Sequence, residues 1–150
     1  MGRRAVKAKK DARLREAMTA GAVTRTARRG TSNAQQAAAL RLAVDSARVL
    51  ADDRCEDVLV LDLRGLSGFC DYFVIATGTS DRQMRATCEH VEDLAADRGE
   101  KPFSRAGMDG SSWLILDFVD VVVHVFDSEH RDYYELETLW GDAPRIEWQR

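Results

Sequence analysis

The sequence predicts an α/β fold in which helices flank a mixed β-sheet. Four short runs are rich in Val, Ile, Leu and aromatic residues, as expected for strands that are covered on both faces, and amphipathic helical patterns surround them. Only the short connection RGLSGFCD, with Gly65 and Gly68 as turn residues, separates the first two runs, which indicates an antiparallel pair. The four runs are residues 57–63, 72–77, 112–118 and 121–127.

The first element is predicted to be an amphipathic helix over residues 32–53. Ser32, followed by Gln35 three positions later, has the form of a capping box, in which each side chain bonds the backbone N–H of the other residue. Leu, Ala and Val then recur at helical spacing and give the helix one apolar stripe. This stripe is expected to pack on the sheet.

A second helix is predicted to follow the second strand. Ser80 and Gln83 repeat the capping-box pattern, an apolar stripe follows, and Gly99 marks the end of the helix. The next segment contains one Pro and several Gly residues, which leave room only for a short edge strand at 103–105.

The C-terminal part of the sequence predicts a β-hairpin and a last helix. Only Val119 and Asp120 separate the third and fourth long runs, so these strands should form a hairpin. Asp127 or Ser128 can cap the last helix, which Gly141 ends. The helix is expected to carry Tyr133, Leu136, Leu139 and Trp140 without interruption.

Charge divides the chain into a basic extension and an acidic domain. Residues 1–30 contain ten Lys and Arg against Asp11 and Glu16, a net charge of +8, and the remaining 120 residues carry −11. So little apolar content predicts that residues 1–31 are disordered. Two interpretations remain open for this extension: contact with nucleic acid phosphates such as those of rRNA, or a solvated arm without a dedicated target.

Composition favours one domain that stays in a reducing, cytoplasmic compartment without binding a membrane. No run approaches the roughly 18 uncharged residues of a membrane span. The three cysteines and three histidines show neither paired C-x-x-C spacing nor the spacing of a metal site, so neither a metal nor a cofactor is expected. These residues are Cys55, Cys70, Cys88, His90, His124 and His130.

The loop Gly78-Thr79-Ser80 raises the alternative of nucleotide binding or a residual nucleotidyl transferase. It joins a strand to a helix N-terminus, a place where phosphates often bind. A transferase also needs paired carboxylates that hold two metal ions. Asp117 and Asp120 are three positions apart, which sends them to opposite faces of a continuous strand. The transferase hypothesis therefore lacks its metal ligands.

Aromatic and acidic residues are concentrated after position 112. Much of this aromatic content must be core, and His124 alternates with apolar neighbours, as a hydrogen-bonded core histidine or a histidine on the sheet surface would. Trp and Tyr beside carboxylates also form anchors for a basic protein partner. The residues concerned are Trp113, Asp117, Asp120, Asp127, Glu129, Asp132, Tyr133, Tyr134, Trp140 and Trp148. The pattern indicates a protein-binding module.

Four segments together closely resemble the ribosomal silencing factor family, also called the Iojap family. They are DVLVLDLRGL, DYFVIATGTSDRQMRA, WLILDFVDVVVHVF and YYELETLWGDAP, in the family's order and approximate spacing over residues 34–144. The resemblance implies a nucleotidyltransferase-like fold that lacks the catalytic carboxylates, and a protein that is not an enzyme. It divides the chain into an extension (1–31), a silencing factor domain (32–144) and a tail (145–150).

The resemblance also implies the function and the residues that carry it. Such a protein represses translation by binding the large ribosomal subunit through ribosomal protein number fourteen, which blocks association with the small subunit; a homodimer is a further expectation. The matching positions are Asp71, Thr79, Ser80, Arg82, Trp113, Asp117, Asp120, His124, Tyr133 and Tyr134. Which of them contact the partner and which hold the sheet is left open. Replacing Asp117 and Asp120 by Lys is expected to weaken binding without unfolding the domain.

The basic extension is one departure from the family pattern, and the sequence departs from it in two further places. Val119 stands where many family members have Gly between the hairpin strands, which disfavours a turn with positive φ at this position. The tail RIEWQR has no counterpart in the four segments, so the role of Trp148 is open.

Overall fold

A five-stranded mixed sheet forms the centre of the fold, with strand order β1-β2-β5-β4-β3 and only β2 and β5 parallel. The computed structural model describes residues 32–108 and 112–150, and the expectations for residues 1–31 lie outside these ranges. The elements are α1 (Asn33–Asp52), β1 (Glu56–Asp62), β2 (Tyr72–Thr77), α2 (Asp81–Ala96), β3 (Ser104–Ala106), β4 (Trp113–Asp117), β5 (Val121–Phe126), α3 (Ser128–Tyr134) and α4 (Leu136–Leu139). The predicted α/β class, the antiparallel first pair and the hairpin are confirmed.

Both long helices begin at the predicted serine caps. The Ser32 hydroxyl accepts from the Gln35 backbone N–H (3.2 Å) while the Gln35 side chain accepts from Ser32 N–H (2.9 Å), a complete capping box. At α2 the Ser80 hydroxyl accepts from Gln83 N–H (3.1 Å), but the Gln83 side chain accepts from Thr79 N–H (2.9 Å). The reciprocal bond of the second capping box is therefore shifted by one residue.

Strand alternation separates two cores on the two faces of the sheet. Helices α1 and α2 cover one face, where Val60, Val74 and Val123 point into the main core. The other face carries most of the aromatic residues and is covered by α3, α4 and the segment after them. We call this second surface of the sheet the aromatic face; it contains Phe73, Ile75, Trp113, Ile115, Val122, His124 and Phe126.

The six residues after Pro144 lie along the outer edge of β1. Pro144 and Ile146 each form a backbone hydrogen bond of 2.8 Å with that strand. The Trp148 indole N–H donates to the Val58 carbonyl (3.1 Å), and the Trp148 carbonyl accepts from the Arg48 side chain of α1 (2.8 Å). Trp148 thus joins β1 to α1, and the tail satisfies backbone groups that an open edge strand would expose.

The predicted last helix is wrong in one respect, since it is two helices. Glu135 adopts the left-handed conformation (φ 48°, ψ 47°), ends α3 and precedes α4 without a side-chain cap. A left-handed non-glycine residue costs roughly 1–2 kcal/mol. The Leu136 side chain that follows is fully buried in the aromatic-face core, and this burial offsets the cost.

The expectation that Val119 avoids positive φ is also wrong. Val119 has φ 77°, and Asp120 N–H donates to the Phe118 carbonyl at 3.0 Å, which is the two-residue-separated bond of a γ-turn. Two bonds hold this turn: the Asp117 carboxylate accepts from Val119 N–H (2.8 Å), and Phe118 N–H donates to the Val121 carbonyl (2.8 Å). The pairing of β4 with β5 therefore imposes a conformation that a β-branched residue disfavours.

Replacing Val119 by Gly is expected to raise the free energy of unfolding by about 1 kcal/mol. Relief of backbone strain of roughly 1–3 kcal/mol outweighs the conformational entropy that Gly adds to the unfolded chain, roughly 0.5–1 kcal/mol. Urea unfolding of the Val119→Gly and Val119→Ala variants measures the effect, because Ala removes the β-branch but keeps the Cβ. A Gly variant less stable than wild type would contradict a strained turn.

The three cysteines are buried free thiols. Burial raises the pKa of Cys55 to about 11 and that of Cys88 to about 12, so both stay protonated and unreactive at neutral pH. Across the described ranges, the structure contains no helix with the length and apolar character needed to cross a membrane.

Candidate functional site

The ten candidate residues occupy both ends and the middle of the sheet. Because β2 and β5 are parallel, their amino ends share one edge, where Asp71, Asp117 and Asp120 lie. Thr79, Ser80 and Arg82 follow the carboxyl end of β2, roughly 20 Å away along a six-residue strand. The aromatic candidates and His124 lie on the aromatic face or on α3, so one compact partner contact cannot include all ten.

Backbone bonds tie Asp71 and Asp120 together at the amino ends of β2 and β5. The Asp120 carbonyl accepts from Asp71 N–H (2.8 Å) and from Tyr72 N–H (3.1 Å). Both aspartates are half-buried, whereas Asp117 is only 1% exposed and holds the γ-turn. We call Asp71 and Asp120 the acidic rim. Exposed apolar side chains lie at the same end of the sheet: Leu66, Phe69 and Phe103.

Trp113 and His124 form a buried pair on the aromatic face. The Trp113 indole N–H donates to His124 Nδ1 (3.1 Å), and the Trp113 ring stacks on Phe126 with centroids 4.5 Å apart. Tyr134 packs against Trp113 at 4.7 Å, and Tyr133 meets Tyr134 edge-on at 4.9 Å. Trp113 and His124 are 1% and 0% exposed, but Tyr133 is 36% exposed. Trp113 and His124 therefore support the aromatic face from within, whereas the Tyr133 side chain is exposed to solvent.

His124 is neutral at physiological pH. Its Nδ1 accepts a bond from Trp113, which assigns the ring proton to Nε2, and complete burial lowers the pKa of His124 to about 3. Nε2 has no hydrogen-bond partner among the described residues, and the Phe73 ring lies beside the imidazole at 4.5 Å in an edge arrangement. Of the two predicted positions for His124, core or sheet surface, the structure shows the core.

Helices α3 and α4 present the most one-sided charge in the described structure. Arg131 is the only Lys or Arg in residues 127–144, and it is buried, with its guanidinium bonded to Glu137 (3.2 Å) and Thr77 (2.9 Å). Apart from Ser128, Thr138 and Gly141, the exposed residues of these helices and the turn after them are acidic, aromatic or apolar. We call them the acidic helix surface: Glu129, Asp132, Tyr133, Glu135, Leu139 and Asp142.

Asp127 fixes the start of this surface. Partial burial raises the pKa of its carboxyl group, but hydrogen bonds from His130 and Ser112 outweigh this effect and hold the pKa below its ordinary value. Its carboxylate accepts from His130 N–H at 2.8 Å, which caps α3 as predicted. Asp127 is therefore ionised at neutral pH and adds to the negative charge at this end of the sheet.

The Gly78-Thr79-Ser80 loop uses its polar groups within the domain. Gly78 N–H donates to the Phe126 carbonyl (2.6 Å), and Gln83 binds Thr79 N–H and the Ser80 hydroxyl. A Cβ on Gly78 would lie 2.1 Å from Met84 Cγ, so glycine allows α2 to approach the strand. Within residues 32–108 and 112–150, no cluster of three His, Cys, Asp or Glu side chains is placed to hold a metal.

The sequence predicts only a turn between β1 and β2, but two large apolar side chains of this connection are exposed in the structure. Leu66 is 48% and Phe69 is 36% exposed, next to the acidic rim. Arg64 is held by a two-bond ion pair with Asp62 (2.8 and 2.9 Å) and lies 5.6 Å from the Tyr72 ring centre. This exposed patch could have been predicted from the sequence, because two large apolar residues lie within a Gly-rich turn.

Comparison with known proteins identifies the family. A family model described as ribosomal silencing factor during starvation matches residues 34–150, which includes the six C-terminal residues that the resemblance left out. The chain is 46% identical over 93 residues to ribosomal silencing factor RsfS of Bacillus subtilis, covering 62% of this chain and 79% of that protein. It is 38% identical over 108 residues to the protein of the same name from Halalkalibacterium halodurans, covering 72% and 90%.

Solved structures show the same relationship. A crystal structure of a Bacillus halodurans protein matches with a TM-score of 0.60 at 35% identity, covering 72% of this chain and 95% of that one. The extent of the family match and the identity to these relatives agree with the sheet and helices described above. The chain therefore belongs to the family of ribosomal silencing factors during starvation.

Proposed function

We propose that this protein represses translation by binding the large ribosomal subunit through ribosomal protein number fourteen and sterically blocking association with the small subunit. Its relatives are named ribosomal silencing factors, not enzymes, which supports a binding function in translation. The observation that carries the proposal is the acidic helix surface, where exposed carboxylates surround Tyr133 and Leu139 and the single Arg is buried. Such a surface is complementary to a basic protein.

Occupancy alone produces repression in this mechanism. Carboxylates steer a basic partner toward the surface, while aromatic and apolar side chains supply contact area that excludes water. The bound domain needs only an affinity that matches its concentration and a position that overlaps with the other subunit. No bond is formed or broken, so no catalytic group or cofactor is required.

Exposure divides the candidate residues into contacts and supports. We assign partner contact to the exposed or half-buried side chains of Asp71, Thr79, Arg82, Asp120 and Tyr133. Trp113, Asp117 and His124 hold the aromatic face and the hairpin from beneath, Tyr134 packs beside Trp113, and Ser80 caps α2. The acidic helix surface begins near the carboxyl end of β5 and crosses the aromatic face toward the end that carries the acidic rim, where Pro144 bonds Asp62, so a partner that contacts both would lie along this face.

The Asp117 and Asp120 double substitution tests folding as well as binding. The Asp117 side chain is 1% exposed and its carboxylate holds the γ-turn, so a Lys there would have to bury an ammonium group. The burial of Asp117 therefore argues against the expectation that both aspartates can be replaced without unfolding. Asp120 alone is the suitable position.

Replacing Asp120 by Lys is expected to weaken binding to the large subunit several-fold, with the greater effect at low salt. The substitution reverses a charge on the acidic rim and slows encounter with a basic partner. Glu89→Lys is the matched control, because it makes the same charge change at an exposed position in the middle of α2, which covers the face of the sheet opposite the aromatic face. Co-sedimentation with separated large and small subunits on sucrose gradients measures both affinities.

Three results distinguish the possibilities in this experiment. Binding of wild type to the large subunit alone, with loss of the magnesium-joined peak, supports the proposed mechanism. Equal weakening by Asp120→Lys and Glu89→Lys would mean that net charge, not the acidic rim, controls binding. Failure of the wild-type protein to bind either subunit would refute the function while leaving the family and fold unchanged.

Nucleotide binding receives no comparable support. The loop donors that a phosphate would need at Gly78 and Thr79 already bind Phe126 and Gln83, and the carboxylate of Asp81 stands in the first turn of α2. The predicted rRNA contact by the basic extension and the predicted homodimer remain predictions.

A further inference from the structure

A small groove lies where the first turns of α1 meet the β4–β5 turn. Its volume is about 120 Å³, and Leu42 and Val121 form part of an apolar floor. Phe118 adds an aromatic wall, while Gln35, Glu100 and Asp120 bring an amide and two carboxylates to the lining. The groove therefore combines apolar surface with two negative charges.

These properties fit an arginine side chain. Arg packs its three methylenes against apolar surface while its planar guanidinium bonds carboxylates, and it also stacks on aromatic rings. Glu100, Asp120 and Phe118 all line this one cavity, so two acidic residues and an aromatic residue lie within reach of a single arginine side chain. Lysine suits the groove less well, because a compact ammonium group cannot bond two carboxylates with a fixed planar fork.

Local charge favours a cation in the groove itself over a cation at the start of α1. The N-terminus of α1 carries a positive partial charge and has no acidic residue in its first turn. Arg25, Arg28 and Arg29 directly precede it in sequence and would repel this helix end. Glu100 and Asp120 supply negative charge from neighbouring elements, and the groove continues two turns along the helix, where the dipole effect has faded.

A second cavity of about 320 Å³ continues from Ala38 and Glu100 toward two arginines. Arg98 is ion-paired with Asp45, whereas Arg41 is exposed and close to the shared lining. The positive charge of Arg41 disfavours a second cation in this larger cavity. We therefore expect a single arginine side chain, bound in the smaller groove that Asp120 lines.

We propose that this groove binds the guanidinium of Arg28 or Arg29 from the chain's own N-terminal extension. Ser32 is the first described residue, and three to four extended residues span roughly 10–14 Å, which brings either arginine within reach of the lining of α1. The short connection gives the arginine a high effective concentration at the groove. We assign the occupant on two grounds: the short connection to α1, and the opposite net charges of the extension and the domain.

The proposal goes beyond the proposed function and does not depend on it. Asp120 belongs to both the groove and the acidic rim. An arginine that occupies the groove therefore competes with a basic partner for Asp120, and the extension would reduce the affinity of its own domain until another surface attracts it.

The test compares amide chemical shifts of the ¹⁵N-labelled full-length chain without any ribosomal component. The Arg28→Gln/Arg29→Gln variant is compared with Arg3→Gln/Arg4→Gln, which removes the same charge at positions distant in sequence from the start of α1. We expect the first variant to shift the amides of Ala38, Leu42, Glu100, Asp120 and Val121, and the second to leave them unchanged. In a Glu100→Gln background, the Arg28/Arg29 substitutions should lose most of this effect.

Each alternative outcome overturns the proposal. Equal shifts from both arginine pairs would show a diffuse electrostatic effect, and absence of shifts from either would show that the groove is empty. Groove shifts that grow with protein concentration would identify the extension of a second copy as the occupant. Because no ribosome is present, these results are independent of the large-subunit binding experiment.

Discussion

Replacing Trp113 by Ala is expected to lower the free energy of unfolding by about 3–5 kcal/mol. Trp113 is 1% exposed. Its ring stacks on Phe126, and the Tyr134 ring also packs against it. The truncation leaves a cavity at the centre of the aromatic face and removes the indole N–H that His124 Nδ1 accepts. A buried acceptor without its donor adds to the cavity cost.

Urea unfolding monitored by circular dichroism measures this loss. Trp148→Ala is the matched control, since Trp148 is only half-buried and the substitution removes its indole bond to the Val58 carbonyl but keeps the bond from Arg48 to its own carbonyl, so its loss should cost clearly less. Similar destabilisation by the two substitutions would argue against Trp113 as the centre of the second core. A Trp113→Ala loss below about 1 kcal/mol would contradict its packing outright.

Acidification from pH 7.5 to pH 5 is expected to lower the free energy of unfolding by about 2 kcal/mol through His124 alone. An unfolded histidine binds a proton near pH 6.5, but burial lowers the pKa of His124 to about 3 in the folded protein. Between these values the unfolded state binds more protons than the native state. The stabilisation is therefore complete above pH 6.5 and is lost as the pH falls toward 3.

His90 acts with the opposite sign and a smaller size. Its hydrogen bond to the Asp53 carboxylate (2.8 Å) raises the pKa of His90, so its contribution is present below pH 6.5 and is lost as the pH rises through the folded value. The His90 side chain is 55% exposed, and solvent screens the pair. His90 therefore offsets only part of the His124 effect.

Urea unfolding of wild type and His124→Gln at pH 7.5 and pH 5 isolates the His124 contribution. The difference between the two pH values should be about 2 kcal/mol smaller in the variant, whatever the absolute stability of that variant. His90→Gln, measured in parallel, should increase the difference slightly. An unchanged pH difference in His124→Gln would mean that His124 is protonated in the folded state or accessible to water.

The local elements of the fold could be predicted because their signals are short-range. The Ser32 and Gln35 pair caps α1 as its sequence form indicates, and the apolar runs became β1, β2, β4 and β5. Val119 and Glu135 could not be predicted in this way. Their left-handed conformations are imposed by the β4–β5 hairpin and by the burial of Leu136, while the residues themselves disfavour them.

The candidate site could be predicted only as a set of motif positions. A matching motif does not distinguish a side chain that contacts a partner from one that supports the contact surface, and Trp113 and Asp117 are supports by their burial. The groove beside α1 escaped prediction because its lining comes from α1, Glu100 and the hairpin turn, which are distant in sequence. The same applies to the pairing of Ile146 with β1.

The long sequence separation between β1 and the segment that covers its edge affects how the protein is made. Trp148 reaches Val58 across 90 residues of chain, so β1 emerges from the synthesising machinery well before its outer neighbour exists. At roughly 5–20 residues per second, the nascent strand waits roughly 5–20 s with that edge unpaired. During this interval nascent chains on neighbouring ribosomes of one message could pair through it, so slower translation would favour misassembly, and a chaperone that holds extended strands would raise the folded yield.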